Sequence, residues 1–184
     1  MNHQSFLYHD TFETPLGAVT VLANDEGVCR IDYGKYEDRT AFYQTWKRKH
    51  FLKGELVYDP EQTYVAQTRE ELQEYFAGRR SEFQVPLQCY GTDFQRQVWR
   101  TLHHQIPYGE TRSYKDIASY IHAPKAIRAV GGAVNQNPFS IVVPCHRVIG
   151  SNGKLVGYAG GIDKKEKLLE LEREHHSVTE HRSG

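Results

Sequence analysis

Apolar and polar residues alternate in blocks along the chain, and the blocks predict a mixed first half and a helical second half. Residues 17–24 (GAVTVLAN) and 27–33 (GVCRIDY) are β-rich runs. The polar pair Asp25–Glu26 separates them and predicts a hairpin. Residues 38–49 read as a polar helix and 55–58 as a short strand. Residues 65–76 place Leu72, Tyr75 and Phe76 among Glu and Gln, the pattern of an amphipathic helix. Residues 82–87 read as an edge strand or an extended connector, limited by Pro86. Residues 89–91 read as a linker.

The second half opens on a helix start, with Thr92 as N-cap and Asp93 in the first turn. Phe94, Val98 and Leu102 mark its apolar face, and Pro107–Tyr108–Gly109 stops it. Ser113 caps a short helix over 114–121, and Pro124 suits the first position of a third helix reaching Asn135. Two short helices joined by a tight turn are a helix-turn-helix candidate. In the third helix Ile127, Val130 and Val134 are expected to pack inward. A final helix is expected over 162–174, followed by a polar, frayed tail. The expected domains are 1–88, 92–176 and a tail over 177–184.

The chain has 184 residues and a formal net charge of zero, but the charge is uneven. Between Thr92 and Tyr158 stand eight basic and three acidic residues, net +5, while the first 91 residues are net acidic. A basic segment suggests a polyanion partner for that part, although uneven solvated charge gives the same count. No segment approaches the roughly 20 apolar residues that cross a bilayer, and no signal peptide is apparent. Cys29, Cys89 and Cys145 are too widely spaced for a disulfide framework, which favours a reducing cytoplasm. Cys29 with His3 and His9 lacks paired ligand spacing, so no metal is expected. No glycine-rich nucleotide loop follows a strand, which disfavours a cofactor-dependent transferase.

The richest stretch chemically is 144–148 (PCHRV), just after the apolar run 141–143. A thiol needs a base or a positive neighbour to become a nucleophile, and His146 and Arg147 stand beside Cys145. A free cysteine is also commonly a small buried hydrophobe. The third helix, 124–135 (PKAIRAVGGAVN), carries Ala126, Ala129, Gly131, Gly132 and Ala133 with one long cation, Arg128. Paired glycines cost about 1 kcal/mol each relative to alanine. Such a helix suits close approach to a flat partner and reading by shape, or tight packing on another protein helix. Tyr114 has the alternative of a core tyrosine, and Glu172 that of a solvated helix residue.

Four pieces carry a family resemblance: 106–118 (IPYGETRSYKDIA), 128–138 (RAVGGAVNQNP), 141–150 (IVVPCHRVIG) and 158–172 (YAGGIDKKEKLLELE). In their order and spacing they resemble the O6-alkylguanine-DNA alkyltransferases, the methylated-DNA–protein-cysteine methyltransferases. The resemblance implies a ribonuclease-H-like α/β N-terminal domain and a mostly α C-terminal domain with a helix-turn-helix. It implies irreversible, stoichiometric transfer of an alkyl group from O6-alkylguanine, and O4-alkylthymine, in flipped-out bases to a cysteine, without a cofactor. Cys145 would be the acceptor, His146 the proton relay and Glu172 the group orienting it. Tyr114 would press on the phosphate of the target nucleotide and later protonate the leaving guanine. Arg128 would fill the gap left by the extruded base. Asn137 would be the hinge between helix-turn-helix and active-site turn. Val148, Tyr158, Ala159 and Gly160 would line the base pocket. Gln95, Arg96, Lys115 and Ser151 would touch phosphates, with Ala126, Ala129 and Gly131 on the DNA side of the helix. The implied partner is alkylated double-stranded DNA, bound through the minor groove with low sequence specificity by a monomer. Ala159 departs from the serine many members carry, and Cys145 sets the chain apart from non-repairing sensors with tryptophan there. A DNA-binding protein without transfer activity, and a metal or redox site built on the cysteines, are the competing readings.

Overall fold

A computed structural model of the chain describes residues 5–182, with side chains through residue 176. It divides into two compact units, 1–91 and 92–184.

The first unit is a four-stranded sheet with two helices. Strands β1 (Phe6–Thr14), β2 (Gly17–Ala23) and β3 (Val28–Tyr33) form an antiparallel meander. Strand β4 (Glu55–Tyr58) adds parallel to β1, giving the order β3-β2-β1-β4. The β2–β3 hairpin is as expected. The Asn24 side chain closes its turn by accepting from the backbone N–H groups of Glu26 at 2.8 Å and Gly27 at 3.0 Å. Strand β1 was not expected, because its buried positions include His9 and Asp10. Both are served inside the unit. Asp10 pairs with Arg69 at 2.8 Å, and the His9 ring stacks on Tyr36 at 3.6 Å. Residues 82–87 form the connector rather than a strand, touching the sheet through a single Val28–Leu87 bridge.

Helices α1 (Thr40–Lys49) and α2 (Thr63–Phe76) complete the unit. Helix α2 starts two residues before the expected Val65, since the Gln62 side chain accepts from the N–H groups of Tyr64 and Val65. Tyr43 and Trp46 of α1 join Leu7, Leu22 and Cys29 in one buried cluster. Helix α1 ends in a Schellman turn, with Phe51 N–H donating to Arg48 O and Leu52 N–H to Lys47 O. The left-handed residue of that turn is Phe51, at φ +56°, where a side chain costs on the order of 1 kcal/mol relative to glycine.

In the second unit, α3 (Asp93–Gln105), α4 (Tyr114–Tyr120) and α5 (Ile127–Asn135) precede a short 3-10 turn over Cys145–Arg147 and a long helix α6 (Ile162–Arg182). Capping boxes start α3 (Thr92 with Gln95) and α4 (Ser113 with Asp116). The buried Trp99 indole donates to Ala133 O at 2.8 Å and ties α3 to α5. Two features differ from expectation in the α4–α5 region. Helix α5 begins at Ile127, because Ala126 N–H bonds back to Ala123 O and makes 123–126 a turn around Pro124. Ile127 therefore sits at the helix mouth, 41% exposed, while Ala133 joins Val130 and Val134 inside. Helix α6 also runs on through the segment expected to fray, as far as Arg182. Strands β5 (Arg112–Ser113) and β6 (Val148–Ile149) pair in parallel and bring the residues ahead of α4 beside those after Cys145. No helix among the described residues is long and apolar enough to cross a membrane.

Candidate active site

The site is built where a strained loop delivers Cys145 onto the buried face of α6. Residues 139–145 fold through tight turns, with Val142 N–H bonded to Ser140 O and Cys145 N–H to Val143 O, each at 2.8 Å. Ile141 is fully buried at φ +72°, an outlier for a β-branched residue. Asn137 clamps the bend. Its Nδ2 donates to Phe139 O at 3.3 Å and Val143 O at 2.9 Å, and its Oδ1 accepts from Phe139 N–H at 3.0 Å. The same amide reaches the Cys145 thiol.

Cys145 is 6% exposed. Burial pushes its pKa up, since a thiolate loses water there. The Asn137 side chain, the Lys165 ammonium and the backbone N–H groups of Cys145 and His146 pull the other way. A neutral thiol surrounded by groups that favour its anion is poised to ionise once a proton acceptor is available.

His146 is the adjacent acceptor. It is fully buried, with Nε2 2.7 Å from Glu172 Oε2. Burial lowers its pKa against the pull of Glu172, so the ring is neutral. With Glu172 ionised, Nε2 carries the hydrogen and donates, which leaves Nδ1 with the lone pair. Nδ1 has no hydrogen-bond partner among the described residues. Burial alone raises the Glu172 pKa, but His146 and Arg147 outweigh it and hold the carboxyl at about 2.

Arg147 is not the positive neighbour of the thiol that its place in the sequence suggests. Its Nε donates to Glu172 Oε1 at 2.6 Å, its Nη2 to Oε2 at 3.2 Å and its Nη1 to Ile106 O at 2.8 Å. The guanidinium lies 5.6 Å from the Tyr108 ring centroid. At the end of the 3-10 turn Arg147 joins His146 on the Glu172 carboxylate. The cation beside the thiol is instead Lys165, which sequence reasoning missed. It is fully buried and donates to Val148 O at 2.5 Å and to Val156 O and Gly157 O at 3.1 Å. Burial lowers its pKa to about 8, partly offset by Cys145. A signal existed: Lys165, Leu168 and Glu172 follow helical spacing, and all three are buried.

Other sequence-selected residues fall around this core or on the surface. Val148 is fully buried in β6. The half-buried Tyr114 donates its hydroxyl to Val156 O at 3.0 Å, and burial, then the neighbouring Cys145, raises its pKa. Tyr158 is half-buried and Ala159 exposed, in a turn that Gly160 completes before α6. Arg128 and Ala129 are exposed on α5, Lys115 on α4 and Ser151 on the turn after β6, while Ala126 and Gly131 are half-buried. Gln95 and Arg96 are occupied at the start of α3, Gln95 in the capping box and Arg96 in an ion pair with Asp93. Gly132 is open: a Cβ there meets nothing within 4 Å. Cys29 lies in the core cluster, His9 stacks on Tyr36, and His3 lies outside the described residues.

Comparison with known proteins assigns the fold and the chemistry together. Residues 7–89 match the family described as 6-O-methylguanine DNA methyltransferase, ribonuclease-like domain, and residues 93–174 the corresponding DNA binding domain. The methylated-DNA–protein-cysteine methyltransferase of Methanosarcina barkeri is 43% identical over 90% of this chain and 97% of its own length. The constitutive enzyme of Bacillus subtilis is 42% identical over 90% and 95%. Among solved structures, the Mycobacterium tuberculosis protein OGT in complex with DNA matches with a TM-score of 0.77 and 42% identity, covering 91% of this chain and 94% of that one. This chain belongs to the methylated-DNA–protein-cysteine methyltransferase family, with a ribonuclease-like α/β part followed by a helical DNA-binding part.

Proposed function

We propose that this protein repairs DNA by moving an alkyl group from O6-alkylguanine, and O4-alkylthymine, onto Cys145. The observation that carries the reading is the arrangement around that sulfur. The thiol lies with the Asn137 amide and the Lys165 cation, and next in the chain is a neutral histidine whose far nitrogen is held by an ionised Glu172. The Cys145 proton passes to His146 Nδ1 through one water, and the resulting imidazolium is stabilised by Glu172. The thiolate attacks the alkyl carbon in line. The S–C bond forms as the C–O6 bond breaks, and the electron pair leaves on the base, which takes up a proton from the Tyr114 hydroxyl. The product thioether has no route back, so each molecule acts once and no cofactor takes part.

The exocyclic alkyl group lies inside the duplex stack, so the nucleotide turns out at a cost of a few kcal/mol. Arg128, exposed at the start of α5, enters the gap and recovers part of that cost. Ala126, Ala129 and Gly131 let the helix backbone approach the minor groove, and the unfilled space at Gly132 supports a partner on that face. Lys115 and Ser151, with Gln95 and Arg96 once freed from their local contacts, meet phosphates. Asn137, Val148, Tyr158, Ala159 and Gly160 receive the base. Binding is largely independent of sequence, by a cytoplasmic monomer, with residues 92–176 carrying the chemistry and 1–88 forming a separate domain.

The test is incubation with duplex DNA carrying radiolabelled O6-methylguanine, followed by peptide mapping. Label is expected on Cys145 alone. Label elsewhere, or none, overturns the reading.

A further inference from the structure

The first unit concentrates its positive charge at one point. From Arg39 to Gly54 there are five basic residues and no acidic one. The rest of residues 1–91 holds five basic against fourteen acidic. Three of these cations, Lys47, Arg48 and Lys49, occupy the last turn of α1, where they also suit the helix dipole. That accounts for neither Lys53, exposed beyond the helix, nor Phe51 between them.

Phe51 is adverse to folding on two counts. It occupies the left-handed position of the Schellman turn, at φ +56°, where glycine is the usual choice. Its side chain is 90% exposed, the most open of the large hydrophobics in the protein's described residues. The neighbouring Leu52 does pack against the core cluster, so the turn's hydrophobic contact is made without Phe51. Lys47 folds back onto Gly54 O, which leaves Arg48, Lys49 and Lys53 as the exposed cations within three residues of Phe51, with Arg48 donating only to the exposed Thr45 hydroxyl at 3.3 Å.

We propose that this knuckle, Arg48–Lys49–Phe51–Lys53, is a second nucleic-acid contact that binds single-stranded DNA. An exposed aromatic ring with exposed cations on both sides of it in the chain matches an unstacked base on a charged backbone, and a paired, stacked duplex offers no such face. The inference rests on the reading of the protein as a DNA-repair transferase, but it concerns a different unit from the acceptor thiol. The knuckle holds a strand where bases are already unpaired, beside or away from the lesion.

The test uses the full-length protein and fluorescence anisotropy with a labelled oligothymidylate and a labelled duplex across a salt series. Replacing Arg48, Lys49 and Lys53 together by alanine is expected to weaken single-strand binding and to make the slope of log K against log salt shallower by about 2, since each single-strand phosphate contact contributes about 0.7. Phe51→Gly is expected to raise Tm by about 2–4 °C, because it relieves the turn, while weakening single-strand binding roughly tenfold and leaving duplex binding unchanged. A stabilised protein that binds worse is not the signature of a structural residue. Unchanged single-strand affinity in either variant overturns the proposal, as does a lower Tm for Phe51→Gly. So does loss of binding to phosphatidylserine vesicles with DNA binding intact, which makes the knuckle a membrane contact. Alkyl transfer from free O6-methylguanine base to Cys145 is measured alongside. It is retained in both variants if only this inference fails, and absent in the parent protein if the repair reading fails.

Discussion

Each unit of this protein buries a cysteine, and the two fates show what turns a packed thiol into a reagent. Cys29 lies in a cluster with Leu7, Leu22, Tyr43 and Trp46. Burial raises its pKa to about 12 and the Glu26 carboxylate adds to that; the thiol donates to Gly27 O at 3.9 Å, and only Asn24 and the Tyr90 hydroxyl favour its anion. Cys145 is also buried, and burial is again the largest influence on it. The difference lies in the opposing set: an amide, an ammonium, two backbone donors and a neutral imidazole next in the chain. Depth inside the protein does not separate the two sulfurs. Charge and donors do.

The sharpest way to break this contrast is to remove each sulfur. Cys145→Ala is expected to abolish alkyl transfer while DNA binding persists. Cys29→Ala is expected to leave the transfer rate unchanged and to cost roughly 1–2 kcal/mol of stability as a small core cavity. Loss of transfer in the Cys29 variant, read by the label assay, would dissolve the distinction.

A smaller effect is expected from the cation. Lys165→Met is expected to slow transfer on the order of 10–100-fold near neutral pH, with the rate–pH profile displaced to higher pH. A merely structural lysine would change stability without displacing the profile. Single-turnover kinetics between pH 6 and 9 on folded variants separates the two.

Smaller again is the contribution of the carboxylate to acid stability. Glu172 is held at about 2 against an ordinary 4.5. A carboxyl with a lowered folded-state pKa stabilises fully above its unfolded value, and that stability is lost as pH falls toward the folded one. Unfolding free energy should therefore drop by about 3 kcal/mol between pH 5 and 2 through this group. Glu172→Gln should flatten that decline in denaturant titrations. The smallest effect is expected at a cap. Ser113→Ala removes the bond to Asp116 N–H at 3.0 Å and should cost about 1 kcal/mol by thermal unfolding, with transfer from free base intact.

What could be read from the chain followed the reach of local rules. Cys145 and His146 are adjacent, Thr92 and Ser113 cap by short-range geometry, and the β2–β3 turn is encoded in consecutive polar residues. The relatives' motifs carried the sequence reading to Asn137 and Glu172. Lys165 escaped because it stands among Lys164, Glu166 and Lys167, where composition announces a solvated helix. Only the helical spacing to Leu168 and Glu172 distinguishes it. Arg147 is a candidate cation for the thiol by adjacency alone, and the sequence hides that the Glu172 carboxylate, 25 residues on, takes it instead. Strand β1 escaped because His9 and Asp10 point inward toward Tyr36 and Arg69, partners far along the chain. Ile127 is exposed rather than inside because Pro124 serves a turn here and not as a first helical residue.

The amide at the bend has one more consequence. Asparagine ages when the nitrogen of the following residue closes on its side chain and expels ammonia. The residue after Asn137 is Pro138, whose nitrogen carries no hydrogen to lose and cannot begin that ring closure. A molecule that fires once has to keep until it is needed, and the joint that holds its trigger is sealed against the commonest form of chemical decay.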